Sequence, residues 1–315
     1  MMQSTNSNKY SSSNRDEIDL IEIFNILSKG KWIVVAATSF ASIIAITYSL
    51  SLPNLYQSTT LLNPVQGQEN MSSALNNFSS LASLTGLNLP SSSGESNSVK
   101  AIKKLQSLSF FEQNIMPNIN LSNLMAVRSW NKDSKALIYD ENIYDVYRDK
   151  WLIDYSDSKK SMPSSQDSFA VFYGKNLSIN EDSITGFITL SVKHQSPYIA
   201  QKWARLTVDQ INSFYREKDK AEAEASVKYL NEQITKTNFV EIKQAIAALL
   251  QLETQKLALI EANEAYVFDY IDPPAVMEKK AEPNRSLICI LGAFIGSILG
   301  SMLVLIKNYR SKKAT

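Results

Sequence analysis

The sequence holds one cysteine and one histidine in 315 residues. Neither a disulfide framework nor a Cys/His zinc cluster can be built within one chain from that inventory. Glycine is scarce, at nine residues, and neither G-x-G-x-x-G nor G-x-x-x-x-G-K-[ST] occurs. The usual phosphate-cradling loops are therefore missing. An excess of one charge is also lacking. The 32 Lys and Arg stand against 31 Asp and Glu, a net charge of +1. That balance argues against a nucleic-acid binder working through a broad basic surface. Acids are plentiful, but no pair is marked by spacing as a glycosyl-transferring or hydrolysing site. His194 ends a strand pattern and reads as a satisfied or surface histidine. No catalytic residue, cofactor or metal ligand is assigned.

What the sequence does hold is two long uncharged apolar runs. Trp32 to Leu52 and Leu287 to Ile306 contain 21 and 20 residues. At a rise of about 1.5 Å per residue each covers about 30 Å, the thickness of a bilayer core. A cleaved signal peptide fits the first poorly. Its apolar run is too long, and the 31-residue lead contains Asp16, Glu17, Asp19 and Glu22. A buried core helix fits the second poorly, because Lys307, Arg310, Lys312 and Lys313 close it. Lys29 and Lys31 precede the first run. Basic residues on these flanks place both termini in the cytoplasm and residues 53–286 across the membrane. The sole cysteine, Cys289, falls inside the second run, so the exported region carries no thiol.

Small residues recur every fourth position in both runs. Gly292, Gly296 and Gly300 form a doubled G-x-x-x-G. Ala37, Ala41, Ala45 and Ser49 form a matching stripe in the first. Lipid supplies no hydrophobic drive for helix association, so close backbone approach must supply the contact. The stripes predict helix pairing, within a chain or between chains.

Between the runs, the chain divides into a base (53–196 and 265–286) and a helical arm (197–264). A strand is predicted over Leu55–Leu62, ending at Pro64. Residues 66–97 read as a Ser/Asn/Gln-rich loop with a short helix near Ser72–Leu84. A helix is predicted from Ser98 to Asn114, stopped by Pro117, and another over Ser165–Tyr173. Strands follow at Leu177–Asn180 and Gly186–His194, the second alternating Ile188, Leu190 and Val192 with polar neighbours. Nine aromatics lie between Trp130 and Tyr173. Such a cluster can stack on sugar faces, though core is its commoner role.

The period then changes. Ser196 caps a helix with Pro197 at its first position. Neither proline nor glycine interrupts from Tyr198 to Tyr270, far longer than an ordinary helix. Ala200, Trp203, Thr207, Ile211, Phe214, Lys218, Ala221 and Ala225 are predicted as its apolar stripe. Asn238 with Glu241 resembles a capping box and marks a turn. Ile242, Ile246, Leu249, Leu252, Leu257 and Ile260 carry a returning helix. The charged run 216–224 reads as a solvated face, or as a seam of charge pairs between subunits. Tyr266–Ile271 returns as a strand. Pro273, Pro274 and Pro283 then give a stiff extended approach to the second apolar run.

In this order and spacing the chain resembles the Wzz-type chain-length determinants, polysaccharide co-polymerases of bacteria. The resemblance runs through Ile18–Phe24, Leu55-Tyr56 with Pro64, and Pro163–Asp167. It continues through Ser196-Pro197 with Ala200 and Trp203, Tyr215–Asp219, and Lys236–Asn238 with Glu241. It closes on Tyr266–Phe268, Ile271–Pro273 and the glycine stripe. It implies an α+β membrane protein in which two transmembrane helices (32–52 and 287–306) flank a periplasmic α/β base with a long α-helical hairpin. Residues 1–31 and 307–315 would be cytoplasmic. It further implies an inner-membrane homo-oligomeric ring that works with a Wzy-type polymerase on lipid-linked O-antigen or a related glycan. The ring would set product length in lipopolysaccharide biosynthesis without a reaction of its own. A co-polymerase or adaptor serving a separate cytoplasmic tyrosine kinase is the alternative. A fused kinase would need Walker motifs in residues 307–315, which hold none.

Overall fold

The structure, a computed structural model, describes residues 20–65, 97–153, 162–263 and 265–314. The helix expected near Ser72–Leu84 lies outside the described residues. The chain divides into two compact units, residues 1–52 with 283–315, and residues 53–282.

The first unit is helical. Helix α1 spans Leu20–Lys29 and α2 spans Lys31–Ser51, with Gly30 between them. Both α2 and the last helix of the chain, Arg285–Ala314, are long and apolar enough to cross a membrane. Several of their hydroxyls pair within the helix, though that of buried Ser49 does not. Thr38 and Ser42 donate to the carbonyls of Val34 and Thr38, at 2.8 Å in each case. Ser301 does the same to Ser297 at 2.8 Å. Back-bonding within the helix removes the cost of a polar group in an apolar setting.

The second unit is mixed. Four antiparallel strands form its main sheet: β1 (Tyr56–Pro64), β6 (Leu177–Glu181), β7 (Ile188–His194) and β8 (Phe268–Asp272), in the order β6-β7-β1-β8. Two small hairpins, β2–β3 (Val127–Asn131 and Ala136–Tyr139) and β4–β5 (Tyr144–Asp145 and Lys150–Trp151), stand apart from it. Register places Ser58, Thr60 and Leu62 opposite Val192, Leu190 and Ile188. All six are buried, so this is the core face. Helix α3 (Asn97–Leu105) and a run of short helical turns from Leu108 to Asn118 supply Phe110, Phe111 and Ile115 to the same core.

The single helix expected over Ser98–Asn114 is split at Ser107. Its hydroxyl donates to the Lys104 carbonyl at 2.7 Å and accepts the Phe110 amide at 3.3 Å. A serine that bonds the backbone both ways ends one helix and caps the next. After α4 (Leu108–Phe110) and α5 (Leu121–Met125), α6 (Ser165–Val171) starts on a capping box between Ser164 and Asp167.

The longest helix, α7, spans Pro197–Lys236, and three residues join it to α8 (Val240–Ala262). The α7 stripe follows Ala200, Trp203, Thr207 and Ile211 as the spacing predicts. Beyond that point the buried residues are Tyr215, Asp219 and Ala223, while Lys218, Ala221 and Ala225 face outward. The phase differs because Tyr266, 47 residues away, donates its hydroxyl to Asp219 at 2.5 Å and draws that acid inward. At the turn, Phe239 rather than Asn238 occupies the cap position of α8, and no side chain bonds there. In α8 only Ile260 of the expected stripe is buried, and Ile242 is exposed. The final helix, Arg285–Ala314, is α9.

The nine aromatics do not form one cluster. Phe172 is core, with Phe169 and Tyr173 packed against it. Tyr139, Tyr144 and Trp151 form a separate stack with centroids 5.8 and 5.1 Å apart. Tyr147 is fully exposed, and Tyr155 lies outside the described residues.

Candidate functional site: a glycine–alanine seam and a stitched proline edge

In the first unit the two small-residue stripes meet face to face. A Cβ placed on Gly292 would collide with the Ala45 methyl. On Gly296 it would lie 2.6 Å from the Ala41 Cβ and 2.9 Å from the Thr38 Cα. On Gly300 it would lie 2.9 Å from the Val34 Cα and 3.1 Å from the Ala37 Cβ. Only glycine permits backbones this close. The seam goes one step beyond the residues singled out in the sequence. Val304, the next residue at the four-residue spacing, presses on Gly30, where a Cβ would strike its methyls. At that end the glycine sits on the other helix. Gly30 escapes a pattern search because it lies outside the apolar run, at a helix junction.

In the second unit, β8 cannot continue past Asp272, because Pro273 and Pro274 have no amide hydrogen to offer β1. Side chains take over. Thr60 donates its hydroxyl to the Asp272 carbonyl at 2.7 Å, and Ser58 to the Ala275 carbonyl at 2.8 Å. Gln201 donates to the Pro274 carbonyl at 3.1 Å. A backbone bridge then pairs Leu55 with Glu282, beside an ion pair of Lys193 with Glu282 at 2.6 Å. Pro283 begins the stretch assigned to the other unit.

Helix α7 binds the returning chain through polar contacts that sequence inspection did not single out. The Asn212 amide donates to the Phe268 carbonyl at 2.9 Å and accepts the amides of Val267 and Phe268 at 3.0 and 2.9 Å. A single carboxamide with donor and acceptor ends can satisfy three backbone groups. The charged run 216–224 is partly engaged within the chain. Lys220 pairs with Glu261, and Arg216 donates to the Asn263 carbonyl at 2.8 Å. The hydrogen bond raises the Lys220 pKa and lowers that of Glu261. Burial, with the Asp219 hydrogen bond second, raises the Tyr266 pKa.

His194 is buried, at 1 % exposure. Its Nδ1 accepts the Ser196 amide at 2.9 Å, and its Nε2 faces the Asn123 carbonyl at 2.9 Å. That arrangement suits the neutral ring with hydrogen on Nε2. A proton on Nδ1 would set donor against donor. Burial beside Trp203 lowers the pKa from 6.5 to about 4, against the opposing pull of the Asn123 carbonyl. The sign follows from linkage. Above about pH 6.5 the ring is neutral in both states and the fold keeps its full stability. Between 6.5 and 4 only the unfolded chain takes the proton, so stability falls as pH falls, by about 3 kcal/mol in total. Denaturant unfolding of the detergent-solubilised chain should show this slope. His194→Gln, whose amide can accept and donate in the same places, should flatten it. An equal slope in both proteins would contradict this origin.

Among the described residues no group of three or more His, Cys, Asp or Glu could hold a metal ion. Residues 16–124 match the family model described as Wzz, chain length determinant protein. Over that stretch the chain is similar to the Wzz family, and the resemblance read from Ile18–Phe24, Leu55-Tyr56 and Pro64 is borne out. The match takes in the first apolar helix, β1 and α3. No curated protein matches the chain. Solved structures align at low similarity, two of them as follows. One, described as a full-length bacterial polysaccharide co-polymerase, is 12% identical, with a TM-score of 0.39, covering 93% of this chain and 99% of that one. The other, a fragment of WzzB, a polysaccharide co-polymerase from Salmonella Typhimurium, is 14% identical with a TM-score of 0.28. That alignment covers 73% of this chain and 100% of the fragment.

Proposed function

We propose that this protein is a chain-length determinant of a bacterial surface polysaccharide, working in the inner membrane as a non-enzymatic partner of a Wzy-type polymerase. The observation that carries the reading is the Wzz match over residues 16–124. The first helical unit supports the membrane assignment. Outward-facing Phe40, Ile43, Phe294 and Leu299 are exposed, and apolar surface of that extent on a helix pair suits lipid. Residues 32–52 and 287–306 cross the bilayer, with both termini cytoplasmic. Residues 53–286 lie in the periplasm, where the sheet forms a base and α7 with α8 forms a hairpin arm. Copies of the chain assemble into a ring around the membrane-proximal base. The proline edge, Pro273, Pro274 and Pro283, fixes the spacing between base and membrane. The glycine–alanine seam, Gly292, Gly296 and Gly300 against Ala37, Ala41 and Ala45, holds the two spans as one rod.

A gel of the surface glycan from cells with and without the gene tests the reading. The expected result is a clustered length distribution in its presence and a graded, unclustered ladder in its absence, restored by the gene on a plasmid. An unchanged ladder would overturn it.

A further inference from the structure

The second unit carries a groove that neither the sheet nor the helix pair accounts for. Trp130, Lys135, Leu137 and Tyr139 from the β2–β3 hairpin line one side, with Ser196, Tyr198 and Ile199 at the start of α7 on the other. Its volume is about 460 Å3. The Trp130 and Tyr198 rings stand 5.8 Å apart at 51°, and Tyr198 is 44 % exposed. Two aromatic rings set at an angle, Tyr198 partly exposed and Trp130 half-buried, make a wall for a flat, partly apolar ring.

Two polar groups complete the groove. The Ser196 residue is fully buried, yet its hydroxyl has no hydrogen-bond partner among the described residues. Buried hydroxyls normally have one, and a hydroxyl both donates and accepts. Lys135 lies over the Tyr198 ring, its ammonium 5.8 Å from the centroid. Its backbone is left-handed, φ 49°, in a turn where the Asn131 side chain accepts the amides of Asp133 and Ser134 at 2.9 and 3.1 Å. A non-glycine residue held there is an unusual expense at an ordinary turn and is commoner where a side chain is being aimed. The hairpin is basic, with Arg128, Lys132 and Lys135 against Asp133.

We infer that this groove binds an acidic pyranose residue of a glycan. The apolar face of the sugar ring stacks on Trp130 and Tyr198, a ring hydroxyl pairs with Ser196, and the carboxylate meets Lys135. An acyl chain would leave both polar groups unanswered, and an uncharged sugar could accept hydrogen bonds from the lysine but would leave its charge without a counter-charge. The inference rests on the glycan-related reading above and adds a contact site and a sugar class to it.

The test uses the full-length protein in detergent, with tri-galacturonate and the uncharged maltotriose as probes, followed by calorimetry. Tri-galacturonate should bind about tenfold more tightly than maltotriose. Trp130→Ala should weaken tri-galacturonate binding about tenfold. Lys135→Ala, on an exposed turn that leaves the core untouched, should bring it down to the maltotriose level. Absence of tri-galacturonate binding, equal binding of the two probes, or an unaltered Lys135→Ala variant would each overturn the inference. The gene-deletion ladder is read separately. If the deletion alters glycan length while tri-galacturonate fails to bind, the groove alone is refuted and the length-determining role stands.

Discussion

Gly296→Leu is expected to abolish the clustering of glycan lengths while leaving the protein in the membrane. The position has no room for a side chain. The first carbon alone would sit 2.6 Å from the Ala41 Cβ and 2.9 Å from the Thr38 Cα. The Thr38 atom is backbone, so no rotamer change relieves the clash. The helices must separate or rotate, and the contacts at Gly292 and Gly300 are lost with the one at Gly296. Lipid tails solvate the parted faces as well as they solvate leucine, so nothing apolar drives the helices back together. The effect should grow with volume through Ala, Val and Leu at this position. Ile295→Leu, on the exposed side of the same helix, is the control and should leave the ladder unaltered. A wild-type length distribution from Gly296→Leu would show that the seam does not govern length.

Trp203→Ala should destabilise the second unit by about 3–5 kcal/mol, the range for removing a large buried aromatic. Trp203 is 2 % exposed. Its ring lies 5.8 Å from that of Phe172 and 4.9 Å edge-on to His194, so it joins the α7 helix to the end of β7. The void left by alanine cannot be closed by residues held on a sheet and a 40-residue helix. Trp203→Phe, which keeps most of the volume, should cost about 1–2 kcal/mol. The alanine variant should also lose part of the acid sensitivity, because water reaching His194 lets its pKa rise from about 4 back toward 6.5. Denaturant midpoints at pH 7.5 and 5.5 measure both effects. A loss below about 1 kcal/mol would mean that Trp203 is not a core anchor.

These expectations draw on features of unequal visibility in the sequence. The apolar helices, the four-residue glycine spacing and the alternation of β7 depend on near neighbours, and near neighbours are what a pattern records. The phase of α7 is legible through Phe214, which packs against the core, and then lost, because Asp219 turns inward toward a tyrosine 47 positions on. Asn212 looks like any polar residue on a helix until three backbone groups of the returning strand converge on it. The serine at 107 outweighs the helical period on both sides of it. Gly30 and Val304 complete the seam through a meeting of chain ends that no local pattern encodes. The groove at Trp130 needs a hairpin and a helix start far apart in the chain, Trp130 and Tyr198 among them, to be brought together.

The account rests on residues 53–286 lying outside the cytoplasm, held by two spans. Single cysteines in a Cys289→Ser background test this most directly. One replaces Ile184, which is 94 % exposed in the second unit, and another replaces Lys312. Intact cells with a permeabilised outer membrane are treated with a membrane-impermeant maleimide. The account predicts labelling at 184 in intact cells, and at 312 only after the inner membrane is broken. Labelling at 312 in intact cells, or protection of 184 until lysis, would contradict it.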